Sequence, residues 1–156
     1  MAVRYIRSRA TSAEITGIPR DHRDEEVMQA LVTVGAFVAL SDGRVEAVER
    51  DELVSFVDQQ GFVPTISRQE IAEAFGSRVR QLEHRHGVSV IVENLRPLAG
   101  LSLASVVVRT AERVAAADSK IHLAELHAIQ LIRLVMKTLP GRRSPTSNRF
   151  NNTVLR

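Results

Sequence analysis

The sequence predicts an all-α fold, a compact domain of six to eight helices built from two related helical halves. Three observations lead there. Apolar residues recur at spacings of three and four in one segment after another, the periodicity of amphipathic helices. Apolar residues make up 44% of the chain but aromatics only 4%, so the core must be aliphatic and alanine-rich, which favours helix-on-helix packing over a β-sandwich. One helical corner also returns at an offset of 76 residues, the mark of an internal duplication.

Residues 1 to about 22 lack sustained periodicity and include Gly17 and Pro19, so residues 1–23 read as a loose basic leader. The domain proper, 24–139, opens with a helix on which Val27, Ala30, Leu31, Val34 and Val38 form a stripe. Asp24, Glu25 and Glu26 fall in its first turn, where negative charge suits the helix dipole. Asp42-Gly43 should stop it, because Gly readily takes the left-handed conformation that ends helices. A second helix fits Ala47 to about Gln60, with Leu53, Phe56 and Val57 inward and Gly61 as its stop. A third starts at Ser67, where Glu70 three residues on completes a capping-box pattern, and runs to about Arg85 with Ile71, Ala74, Phe75, Val79 and Leu82 on one face. His86-Gly87 separates it from "VSVIVENL", a β-branched run that reads as a helix because a lone strand among helices has no partner. Further helices fit Ser102 to Ala117 and Leu123 to Leu139, and Pro140-Gly141 closes the domain. The polar, Asn/Ser/Arg-rich residues 140–156 read as a disordered basic tail.

The net charge of +3 conceals a division. Residues 24–139 carry 12 Lys/Arg against 16 Asp/Glu, a net of −4, whereas the first 23 residues stand at +3 and the last 17 at +4. The body has no basic stripe or aromatic stacking platform, which argues against nucleic-acid binding. Without cysteine, the chain has no disulfide, thiolate metal site or cysteine nucleophile. No apolar run reaches the roughly 20 residues that cross a bilayer, and no apolar signal core precedes Glu14, so the expected location is the cytoplasm.

The duplication sets Val38-Ala39-Leu40-Ser41-Asp42-Gly43-Arg44-Val45 with Glu49 over Val114-Ala115-Ala116-Ala117-Asp118-Ser119-Lys120-Ile121 with Glu125, within repeats of about 36–61 and 112–137. In each copy the Asp ends one helix and the Glu lies in the first turn of the next. Glu49 shares a helical stripe with Glu52, Leu53 and Phe56, and Glu125 shares one with Ala128, Ile129, Ile132 and Met136. A carboxylate on an inward stripe needs partners, because burying it unpaired is costly. Each Glu could accept hydrogen bonds from amides at the preceding corner, and each Asp could bind the turn backbone, so the acids would only brace the turns. Alternatively, the corners meet about a pseudo-twofold axis. Asp42, Glu49, Asp118 and Glu125 would then form one cluster for a divalent cation, the oxygen-only set favouring a hard ion such as Ca²⁺ or Mg²⁺. His122, beside the second corner, could add a nitrogen ligand; His84, His86 and His127 read as surface or helix-end histidines.

This twice-occurring pattern, V-A-x-x-D-[GS]-[RK]-[VI]-x-x-x-E in a helical hairpin, resembles the TerB-like tellurite-resistance family across roughly residues 24–139. Ser119 stands where the motif usually has Gly. The resemblance implies a compact all-helical fold with two related halves and a cytoplasmic bacterial protein. It further implies action with other resistance or stress-response proteins, some at the membrane, the family acids falling on Asp42, Glu49, Asp118 and Glu125; the leading reading is then a non-enzymatic module whose paired acidic corners bind a divalent cation or a protein partner. The alternatives are a helical interaction scaffold whose acids only brace the turns, and an acid–base enzyme of unknown substrate. Against an enzyme, the chain has no Gly-rich phosphate loop, no G-x-S-x-G elbow and no H-E-x-x-H.

Overall fold

The computed structural model describes residues 20–98 and 103–139, with side chains from Arg23 onward. The leader before residue 20, the tail after 139 and the expected helix start at Ser102 lie outside the described residues. Within them the chain is all-helical: α1 (Arg20–Ala39), α2 (Ala47–Gln60), α3 (Arg68–His84), α4 (Gly87–Leu95), a single 3-10 turn (Arg96–Leu98), α5 (Ala104–Ala115) and α6 (Leu123–Thr138).

Helix α1 is the axle of the domain, touching every other helix and the 3-10 turn. The stripe read from the sequence understates its burial: Ala30, Leu31, Val32, Thr33, Val34, Ala36, Val38 and Ala39 are all inaccessible or nearly so. A helix apolar on all sides belongs in a core rather than on a surface. The buried hydroxyl of Thr33 is satisfied within the helix by donating to the Gln29 carbonyl oxygen. Gly35 allows α2 to come close, since a Cβ there would lie 2.9 Å from Cδ1 of the fully buried Leu53.

The start of α1 corrects the sequence reading. The helix begins at Arg20 rather than Asp24, so Asp24 sits a turn inside it instead of decorating the dipole. Its buried carboxylate accepts from the backbone N–H (3.3 Å) and the hydroxyl (2.9 Å) of Thr65, pinning the α2–α3 loop to α1.

Other boundaries follow local signals. Gly61 ends α2 in the left-handed conformation, φ 64°. Ser67 caps α3 while Glu70 accepts from the Ser67 N–H, completing the capping box. Arg78 on α3 donates to Gln29 on α1 and Asn94 on α4, tying three helices together. "VSVIVENL" is helical, with Val90, Ile91 and Leu95 buried. The first helices of the two duplicated hairpins, α1 and α5, pack together, and each also touches the second helix of the other hairpin.

Candidate functional site: twin acidic corners

The 76-residue repeat is reproduced bond for bond. In the α1–α2 corner Leu40, Ser41 and Gly43 donate their backbone N–H groups to the carbonyl oxygens of Ala36, Val38 and Leu40. In the α5–α6 corner Ala116, Ala117 and Ser119 donate to Glu112, Val114 and Ala116, the same three bonds. The Asp42 Oδ1 accepts from the Arg44 N–H at 2.9 Å, and the Asp118 Oδ1 accepts from the Lys120 N–H at 2.9 Å. One residue before each second helix the pattern recurs. Glu49 Oε2 accepts from the Glu46 N–H at 2.7 Å, and Glu125 Oε2 accepts from the His122 N–H at 2.6 Å.

These bonds explain why the chemistry needs an acid at each position. The first N–H groups of a helix have no intrahelical acceptor, and a carboxylate reaching back from the first turn satisfies one of them. Asp at the corner accepts from the amide two residues on, closing the turn. The acids therefore brace the corners.

Ser119 completes the likeness in an unexpected way. It takes φ 66°, beside φ 86° at Gly43, so the second corner keeps the left-handed residue although it lacks glycine. A left-handed non-glycine residue is destabilising by roughly 1–2 kcal/mol, and glycine forfeits part of that saving through its unfolded-state entropy. In urea denaturation Ser119→Gly should therefore gain up to about 1 kcal/mol and Gly43→Ala should lose about 1 kcal/mol. Nothing lies within 4 Å of a Cβ built on Gly43, so that loss is one of backbone conformation alone. Equal signs for the two substitutions would contradict the shared geometry.

Glu49 and Glu125 are deeply buried, at 5% and 3% exposure. Burial pushes the Glu49 carboxyl up from 4.5 to about 7; the Glu46 N–H opposes the rise, and the negative charges of Glu125, Asp42 and Glu46 add to it. Burial likewise raises Glu125, opposed by the His122 N–H and the His122 charge, with Asp118 and Asp42 contributing in the raising direction. The corners thus share one electrostatic field, since Glu49 feels Glu125 and Glu125 feels Asp42 across the pseudo-symmetry. Proximity is not convergence, however. Among the described residues no group of three or more His, Cys, Asp or Glu side chains is placed to hold a metal ion. One oxygen of each of the four acids is already turned back onto its own corner.

The remaining sequence-derived candidates scatter. His122 is exposed, its Nε2 3.9 Å from Asp118 Oδ2. His84 Nδ1 lies 2.8 Å from the Arg80 carbonyl oxygen, and His127 is exposed. Glu52, on the same stripe as Glu49, is half-buried and reaches Arg113 of α5 at 3.4 Å, while that guanidinium lies over the Phe56 ring, 5.7 Å from its centre. Two shallow cavities of about 260 and 240 Å³ occupy other places, and none of the four corner acids lines either. Compared with protein-family models, curated proteins and solved structures, the chain finds no match in any of the three.

Proposed function

We propose that the chain is a non-enzymatic helical module of the TerB-like type, which works in a bacterial tellurite-resistance or stress-response system by docking another protein of that system. The supporting observation is the use to which the acids are put. The motif residues Asp42, Glu49, Asp118 and Glu125 each accept a backbone N–H of their own corner, so they hold two matched hairpin ends in a fixed shape. A braced pair of corners offers a partner protein a frame to recognise. Deleting the coding sequence in the bacterium that carries it should reduce growth in tellurite, with recovery on return of the wild-type chain. Growth equal to the parent in tellurite and in oxidative stress would remove the reading.

A second reading, in which the four acids take a divalent cation of the Ca²⁺ or Mg²⁺ class, is favoured by one observation: the charge of Asp42 raises the proton affinity of both Glu49 and Glu125, as happens among carboxylates short of a counter-charge. A cation there would compete with the proton. Thermal melts with Ca²⁺, Mg²⁺, Mn²⁺ or Zn²⁺ against chelator decide it, for wild type and Asp42→Asn/Asp118→Asn. An ion at 100 times its dissociation constant adds about 2.7 kcal/mol. That increment should appear in the wild type only and grow between pH 5 and pH 8. Melts indifferent to every ion, with the double variant melting lower, leave the acids as braces alone.

A further inference from the structure

The two hairpins agree in their corner bonds and diverge on their outer faces. Leu123, Leu126, Gln130 and Leu134 of α6 recur at i, i+3, i+7 and i+11, a single stripe opposite the buried Glu125, Ala128, Ile129 and Ile132. Leu123 is 68% and Leu134 57% exposed, and Leu126 is exposed between them. Scattered surface leucines are ordinary, but a stripe of them along one helix is a mark of an interaction site. At the corresponding positions α2 carries Ala47, Arg50 and Asp58, so the shared fold does not require the leucines. Beside the stripe lies the cavity of about 260 Å³, walled by Ile121, Leu126 and Ile129 and rimmed by Gln130 and the Arg133–Glu112 ion pair.

We propose that this face of α6 is the docking surface for an acidic amphipathic helix of a partner protein, an inference that rests on the docking function proposed above. The geometry is that of a helix laid along an apolar stripe, anchored at spacings of three and four. The charge around the stripe selects the sign of the partner. Lys120 and Lys137 are exposed; Arg133, also exposed, is paired with Glu112 of α5, and the one acid between residues 119 and 139 is the buried Glu125, so the two lysines carry the preference. The chain's own ends do not complement this face: residues 1–19 and 140–156 hold seven Arg against the single Glu14. Two copies paired through α6 would likewise set basic side chains on basic side chains.

The test titrates the full chain with two synthetic helical peptides, each with leucines at i, i+3, i+7 and i+11. One carries glutamates flanking the stripe and the other lysines, and binding is followed by fluorescence anisotropy. The glutamate peptide should bind at least about tenfold tighter than the lysine peptide, a difference of about 1.4 kcal/mol, and the preference should shrink as salt is added. Leu123→Ser/Leu134→Ser should weaken it at least about tenfold while the melting temperature holds, because both side chains already face water; Lys120→Glu/Lys137→Glu should abolish the preference between peptides. Equal affinity for the two peptides, binding indifferent to the leucine variant, or no binding would each overturn the proposal. So would a concentration-dependent dimer that Leu123→Ser/Leu134→Ser dissolves, since it would put a second copy on the face. If the leucine variant restores growth in tellurite to the deletion strain, the surface is wrong and the module reading stands; a deletion strain without a phenotype removes that reading whatever the peptides do.

Discussion

Glu49→Gln should stabilise the protein by about 3 kcal/mol at pH 8 and by almost nothing at pH 4. In the folded state the Glu49 carboxyl keeps its proton up to about pH 7, whereas the unfolded chain releases it near 4.5. Between those values the folded state binds more protons than the unfolded one, so stability falls as pH rises. Below 4.5 both states are protonated and nothing is lost; above 7 both are ionised and the loss is complete. The gap from 4.5 to about 7 corresponds to about 3 kcal/mol. Glutamine mimics the protonated acid in shape, and its amide oxygen can still accept from the Glu46 N–H, so the variant keeps the brace and sheds the buried charge. It also relieves Glu125 of a like-charged neighbour. Urea denaturation of wild type and variant at a series of pH values measures the difference directly. Parallel stability curves across pH 4–8 would show that the carboxyl is not held in its protonated form.

The second large effect is in the core. Leu53→Ala should destabilise by about 3 kcal/mol, within the range of roughly 2–5 for a fully buried leucine, because α1 and α2 are held by a backbone framework that cannot collapse onto the void. Gly35 makes the prediction specific. In the wild type Gly35→Ala drives a new Cβ to 2.9 Å from Cδ1 and 3.0 Å from Cδ2 of Leu53, offsetting the gain of about 1 kcal/mol that alanine brings to a helix interior. In the Leu53→Ala background those atoms are gone, and the same methyl gains its helical preference while filling part of the space. The two substitutions should therefore be non-additive by at least about 1 kcal/mol, with Gly35→Ala stabilising only when Leu53 is truncated. Additive effects would mean that Leu53 moves aside freely.

What could be read in advance was whatever local sequence decides. The bounds of α2, the left-handed stop at Gly61 and the Ser67–Glu70 box depend on residues within a turn of one another. The choice of Asp42, Glu49, Asp118 and Glu125 among eighteen acids came from recurrence, and all four make their equivalent bonds. Long-range partners were opaque. Asp24 looked like a first-turn acid because Thr65, 41 residues away, cannot be paired with it before the loop is placed. The all-round burial of α1 depends on how many helices surround it, which one helix's periodicity does not report. Ser119 pointed away from a left-handed turn by residue type, yet the bonds on either side hold it there. The outward leucines of α6 are legible only as a second apolar period on the side opposite Glu125, weaker than the buried stripe because a glutamine interrupts it.

The electrostatic influence of Glu125 on Glu49 across the corners has a consequence for a fused duplication. Two identical hairpins brought together as separate chains would place one carboxyl opposite its own copy, and a proton between them would have two equivalent addresses. Joined in one chain, the copies have drifted apart: Glu46 precedes one helix where His122 precedes the other, and an acid borders Glu49 where an imidazole borders Glu125. The degeneracy is broken: two carboxyls in matching positions are raised with different neighbours around them.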